Sequence, residues 1–222
     1  MNPEIIFENP DFLVINKPAG LMVHDDGKTK EKTLVDFLIS NYPEIENVGE
    51  PMEIDGKVLP RPGIVHRLDK ETSGVMLVSK NEDSFYFLKN AFKDRLVDKT
   101  YHAFVWGNVK DDSGKIDAPI ARSKNDFRKW SASRGVRGEK REAVTEYGVL
   151  SRFKEDGEKF TFIESRPKTG RTHQIRVHMK FINHPLVCDS LYNEKRPKAL
   201  GFDRLALHSR KISFTGQNGD NY

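Results

Sequence analysis

The segment His66-Arg67-Leu68-Asp69-Lys70-Glu71-Thr72-Ser73-Gly74 runs straight into the apolar stretch Val75-Met76-Leu77-Val78, and this junction constrains the chain more than any other feature. Thr, Ser and Gly favour tight backbone hydrogen bonding and unusual φ. A short apolar run bounded by such a turn predicts a buried strand. The carboxylate of Asp69 therefore rides on a loop tied to the core, which is how a scaffold holds one reacting atom still. Arg67 and Asp69, two residues apart, would equally suit a structural ion pair at a strand entrance. This segment by itself does not choose between the two.

Two further segments carry chemistry-bearing residues in ordered surroundings. In Thr169-Gly170-Arg171-Thr172-His173-Gln174-Ile175-Arg176-Val177-His178-Met179, a Thr-Gly turn is followed by Thr172 as a helix N-cap. Ile175, Met179 and Ile182 then recur at the period of an amphipathic helix. Arg176, between Ile175 and Val177, flanks the apolar face and is part-buried. A buried guanidinium needs a carboxylate or phosphate, because an unpaired interior charge costs several kcal/mol. Asp69 is one candidate, and a helix with a snorkelling Arg is the plainer alternative. In Lys99-Thr100-Tyr101-His102-Ala103-Phe104-Val105-Trp106-Gly107 the alternation is that of a strand, with Tyr101 on the face of Ala103 and Val105. A Tyr in such a row is more often packed than catalytic.

The remainder reads as α/β (α+β) with mainly antiparallel pairing. Strands are expected near 4–7, 12–16, 75–79, 100–106, 143–151, 159–165 and 205–214, and helices near 31–41, 82–94 and 172–182. One cysteine, Cys188, excludes a disulfide framework and fits a reducing compartment, hence a cytoplasmic protein. Glu4, Glu8 and Asp11 among short apolar runs do not make a signal or transit peptide. No apolar run approaches the roughly 18 residues that span a bilayer.

Charge is lopsided. From Arg122 to Ala143 eight basic residues (Arg122, Lys124, Arg128, Lys129, Arg134, Arg137, Lys140, Arg141) face three acidic ones, a local net of +5 in a chain whose total is +4. Phe127 and Trp130 stand among them, the mixture expected where phosphates are neutralised and unpaired bases stack. A solvated hairpin with incidental charge is the alternative. The concentration of charge favours RNA contact by a mobile loop with no apolar period to tie it down. Asp25–Arg61 is a second segment of this kind, a short helix followed by a Pro/Gly-punctuated loop.

Together the motifs HRLDKETSG at 66–74, KTYHAFVWG at 99–107 and GRTHQIRVHM at 170–179 closely resemble the RluA-type pseudouridine synthases. Ile15-Asn16-Lys17-Pro18-Ala19-Gly20-Leu21, His184-Pro185-Leu186 and Leu205-Ala206-Leu207-His208 stand around them in the family's order. Cys188-Asp189 and Tyr192-Asn193 depart from the family's usual Gly-Asp and Tyr-Gly, and Gly216–Tyr222 is a turn where the family has a further strand. The resemblance implies a pseudouridine synthase fold: a long, mixed, mainly antiparallel sheet bent around a central catalytic cleft with flanking helices. It implies one catalytic domain over 1–222, without the family's additional N-terminal RNA-binding module and with a C-terminal edge strand in doubt.

The activity implied is an isomerase that flips a uridine out of ribosomal or transfer RNA and rejoins its base through carbon. Asp69 would be the catalytic carboxylate, Arg176 its ion-pair partner, and Tyr101 the residue that stacks on the base and moves a proton. Arg67 would enter the space left by the flipped nucleotide. Arg171 and the segment's Lys124, Phe127, Arg128, Lys129, Trp130, Arg134 and Arg137 would contact RNA. No cofactor or metal, no membrane, no obligate protein partner and a monomeric state are expected.

Other classes fit less well. His173 and His178 are five residues apart on a helix and do not face one ion, and no Cys pair completes a deaminase pattern. A hydrolytic glycosidase would need a second carboxylate beside Asp69. A non-catalytic RNA-binding module is the rival, but it has no use for Asp69, Tyr101 and Arg176 together.

Overall fold

β-Branched and aromatic residues make strand the commonest regular structure among the described residues. A computed structural model describes residues 1–25, 31–54 and 56–222. The chain divides into two compact units, Met1–Val97 with Ile212–Tyr222, and Asp98–Lys211.

In the first unit β1 (Glu4–Glu8) and β2 (Phe12–Lys17) form an antiparallel pair. Helix α1 (Leu34–Asn41) begins later than the expected residue 31 because Thr33 caps it. The Asp36 backbone N–H donates to Thr33 Oγ1 (3.3 Å) while the Asp36 carboxylate accepts from the Thr33 N–H (2.7 Å), a reciprocal capping box. A two-stranded ribbon, β3 (Met52–Ile54) with β4 (Lys57–Leu59), follows. Strand β5 (Ser73–Ser79) lies antiparallel to β2 with Met76 opposite Ile15 and Gly74 opposite Lys17. Helix α2 (Glu82–Lys93), capped by Asn81 on the Ser84 N–H (2.8 Å), lays Leu88 and Ala91 on a core of Phe12, Leu77, Val97 and Phe214. The C-terminal turn folds back on this core. Phe214 and Tyr222 exchange backbone hydrogen bonds, and their rings stack with centroids 5.4 Å apart.

The second unit opens with β6 (Asp98–Trp106) and continues through β7 (Ser113–Asp117), β8 (Ile120–Ser123), β9 (Trp130–Ser131), β10 (Val136–Arg141), β11 (Val144–Glu155) and β12 (Glu158–Pro167). Strand β12 pairs antiparallel with both β6 and β11, and β11 with β7. Helix α3 (Gln174–Phe181) and β13 (Leu207–Ser213) complete the order, the chain re-entering the first unit within β13. The main core of this unit gathers Ala103, Val105, Ile163, Ile175, Met179 and Leu186. A satellite cluster holds Trp106, Phe160, Val187 and Ala206.

Two expectations are corrected. Residues 122–143 are not an irregular loop. They contribute to a three-stranded antiparallel sheet in the order β10-β8-β9, with Arg137 opposite Arg122. The reason is that Ile120, Ala132 and Ala143 are buried in the main core and tie down a run half of whose residues are charged. Thr172 is not the cap of α3. The residue before the helix is His173, in the left-handed region at φ 56°, and no side chain caps the helix N-terminus. The α+β class, with more strand than helix and three α-helices among the described residues, is as expected. Among the described residues no helix is long and apolar enough to cross a membrane.

Candidate active site

The first unit holds the Asp69 loop, clamped from three directions. At its entrance the His66 Nε2 accepts the Leu77 backbone N–H of β5 (2.9 Å), and the ring stacks on Phe92 of α2 with centroids 4.4 Å apart. At its centre the Thr72 N–H donates to the Asp69 carbonyl (3.1 Å), closing a turn whose Thr72 and Ser73 are buried. Behind it Gly20, at φ 87°, donates its N–H to the Lys70 carbonyl (2.8 Å), a backbone approach that favours glycine.

Lys17, fully buried at the end of β2, sends its ammonium to the carbonyls of Pro18 (2.8 Å), Leu21 (2.8 Å) and Lys70 (3.1 Å). A buried cation is tolerable only when its donors are satisfied. This one uses that requirement to pin the carbonyl of Lys70, the residue next to Asp69. The sequence signal was Asn16-Lys17-Pro18, which gives no hint that its lysine is interior. Lys70 itself points elsewhere, to an exposed pair with Glu31 (2.7 Å). Asp69 is half-buried.

Arg67 is exposed and donates from Nη1 to His24 Nε2 (2.8 Å), while His24 Nδ1 meets the Asp25 carbonyl (2.9 Å). Nδ1 is then the protonated nitrogen and Nε2 the acceptor, the neutral tautomer. Burial holds the His24 pKa below its usual value, and the charges of Arg67 and Arg61 push the same way.

The second unit holds the other predicted residues. Tyr101 on β6 is half-buried against the main core, opposite Ser165 of β12. Arg176 on α3 is buried, and its guanidinium grips Asp189 as a two-pronged fork, Nε at 2.9 Å and Nη2 at 2.8 Å. Asp189 also accepts the backbone N–H groups of Leu191 and Tyr192, both at 3.0 Å. The Tyr192 ring lies 5.0 Å from the guanidinium, and its hydroxyl accepts the Trp130 N–H (2.9 Å) and meets His173 Nδ1 (2.9 Å). Gln174 locks the start of α3: its Oε1 accepts from Thr169 Oγ1 (2.6 Å) and the Arg171 N–H (3.0 Å), and its Nε2 donates to Val144 and Thr145.

Asp189, Tyr192 and Gln174 are therefore part of how Arg176 is held, and sequence reasoning did not single them out. The one usable signal was the buried cation, which demands an acid somewhere. His178, also buried, bonds Thr145 Oγ1 (2.8 Å) and the Ala118 carbonyl (2.9 Å).

The basic stretch sorts into engaged and available groups. Arg128 pairs with Asp126 (2.9 Å), whose carboxyl it holds well below the usual range. Half-buried Lys129 pairs with Glu194 (2.6 Å). Trp130 is half-buried against the main core, with the Arg122 guanidinium 5.0 Å over its ring. Arg171 is half-buried and donates to the Glu142 carbonyl (2.9 Å). Phe127 is 74% exposed. Lys124, Arg134 and Arg137 are exposed and form no ion pair among the described residues.

Residues 11–181 match the family model described as RNA pseudouridylate synthase. The chain belongs to the RNA pseudouridylate synthase family. Among relatives it is 39% identical over 214 residues to an uncharacterized RNA pseudouridine synthase of Bacillus subtilis, covering 96% of this chain and 65% of that one. It is 40% identical over 216 residues to a ribosomal large subunit pseudouridine synthase D of Borreliella burgdorferi, covering 96% and 62%. The chain thus spans somewhat under two thirds of these relatives' length. Among solved structures, human RNA pseudouridylate synthase domain containing 1 superposes with a TM-score of 0.77 at 26% identity, over 100% of this chain and 81% of that one. The pseudouridine synthase fold expected from the motifs is therefore the fold of this family member.

Proposed function

We propose that this chain is an isomerase that converts a uridine of structured RNA into pseudouridine, with Asp69 as the catalytic carboxylate. The observation that carries the reading is the triple anchoring of the Asp69 loop by Lys17, Gly20 and His66 in a chain of this family. A side chain that acts on one atom must be held within a fraction of an ångström, and a purely structural ion pair needs no such bracing.

The reaction breaks the N1–C1′ bond, turns the freed uracil and forms C5–C1′, with the C5 hydrogen lost and N1 protonated, so product and substrate have equal mass. Asp69 serves at the sugar or the uracil as nucleophile or electrostatic stabiliser. Tyr101 stacks on the flipped base and carries a proton. Arg176, whose guanidinium Asp189 holds, serves as the ion-pair partner of Asp69. Arg67 enters the space vacated by the flipped nucleotide, beside that nucleotide's phosphate. No cofactor or metal enters these steps. The names of relatives favour large-subunit ribosomal RNA as substrate, and RNA modification of this kind fits a cytoplasmic monomer without an obligate protein partner.

The test is incubation with uridine-labelled ribosomal RNA transcript and a search for a mass-neutral, carbon-linked nucleoside. Asp69→Asn should abolish the product while folding and RNA affinity stay near wild type. Turnover above about a tenth of wild type, a barrier change of only about 1.4 kcal/mol, would remove Asp69 from the chemistry. RNA binding without product in the wild-type chain would leave the non-catalytic alternative.

A further inference from the structure

Arg61 and Arg67 are two cations without an anion. Arg61 follows the β3–β4 ribbon, and its Nε is buried with no hydrogen-bond partner. Its Nη1 has only the Met52 sulfur, a weak acceptor, at 3.8 Å. Arg67 gives Nη1 to the neutral His24 ring. Neither guanidinium makes an ion pair among the described residues. The two are near enough that the charge of Arg67 adds to burial in lowering the basicity of Arg61. A buried N–H without a partner and neighbouring like charges are both unfavourable, and persist where a ligand completes them.

An anion would give both guanidinium groups a partner at once. Guanidinium is the side chain whose planar fork fits phosphate oxygens, and it remains charged when part-buried. His24 contributes by accepting from Arg67 without adding a charge, which fixes the fork and leaves its other nitrogens available. The cavity of about 250 Å³ that Arg61 helps to line is also lined by Glu46 and Glu50, whose carboxylates disfavour an anion there, so the phosphate is assigned to Arg67 and Arg61 together.

We infer that Arg61 and Arg67, with His24 as positioning residue, form a receptor for the RNA phosphate beside the target uridine. This rests on the proposed function. It goes further in assigning Arg61 and His24 to substrate binding, in a receptor whose Arg67 lies on the Asp69 loop, two residues before Asp69 in the sequence. Holding that phosphate fixes the backbone about which the base must turn.

The test uses the full chain with arginine 15N-labelled, in the Asp69→Asn form so that turnover plays no part. The Arg61 Nε–H resonance, identified by its loss in Arg61→Lys, is followed as a uridine-containing single-stranded RNA is added. Inorganic phosphate at matched ionic strength forms a second arm. The expected result is a saturable shift of the Arg61 signal with RNA, at the concentrations at which anisotropy reports binding. In parallel, Arg61→Gln should raise Kd about tenfold, the lower range for losing hydrogen bonds to a charged group, and flatten the salt dependence by about 0.7 in log–log slope.

RNA binding with an unmoved Arg61 signal overturns the receptor and leaves the enzyme reading standing. Absence of any RNA binding overturns both. A shift with inorganic phosphate but none with RNA assigns the pair to a free anion and overturns the RNA receptor. The resonance is read in the Asp69→Asn chain with Arg61 in place, so the result stands even if Arg61→Gln fails to fold.

Discussion

Asp189 shows how much one interior carboxylate can organise. It is 1% exposed and accepts four hydrogen bonds, two from Arg176 and two from backbone N–H groups. Removing its charge strands the guanidinium, and breaking a buried pair costs about 3–5 kcal/mol against a total stability of about 5–15 kcal/mol. Asp189→Asn is therefore expected to lower the denaturation midpoint sharply, and a loss below about 1 kcal/mol in urea unfolding would show that Arg176 does not depend on it. Lys17 poses the opposite problem, a buried cation neutralised by peptide dipoles. Lys17→Met keeps the length but orphans the Leu21 carbonyl, costing about 1–3 kcal/mol, and leaves the Lys70 carbonyl with the Gly20 N–H alone. Because one of these carbonyls adjoins Asp69, kcat should fall while RNA affinity holds. A variant that lost stability alone, with kcat unchanged, would make Lys17 purely structural.

The basic hairpin is where element and residue reasoning part. Its charge suggested a floppy clamp, yet β8, β9 and β10 pair, and Asp126 and Glu194 already engage Arg128 and Lys129. Phosphate neutralisation then falls to the exposed Lys124, Arg134 and Arg137. Neutralising Arg134 and Arg137 together should weaken RNA binding and flatten its salt slope by about 1.4. The same change at Arg128 and Lys129 should do distinctly less, and equal effects would refute this division. The three long motifs were legible because each couples a period to a turn: β5, β6 and α3 fall within two residues of expectation. The hairpin strands were not, because glycines at positive φ (Gly135 and Gly138) and alternating charges hide a two-residue period. The partners of Arg176 and Lys17 were illegible for another reason. Asp189 lies thirteen residues from its arginine and Lys70 lies 53 from its lysine, and no local pattern reports contacts at that separation.

At the scale of the whole molecule, the histidines decide how the fold responds to acid. His24, His178 and His208 all have pKa values pushed below the ordinary 6.5, chiefly by burial. For His208 the charges of Arg204 and Arg210 add to it. Between the folded value and 6.5 the unfolded chain takes up protons that the folded chain refuses, so unfolding becomes easier as pH falls. The stability these groups contribute is complete above about pH 6.5 and drains away as acid carries each through its folded value. His178 should dominate: it is fully buried, and protonation would place a hydrogen on the Nδ1 that now accepts from Thr145. Denaturation measured at falling pH should show progressive loss below about 6.5. His178→Gln, less stable at neutral pH, should lose its remaining stability less steeply by about one proton. A pH profile of the variant parallel to wild type would mean that His178 does not resist protonation, and that the acid sensitivity arises from His24 and His208.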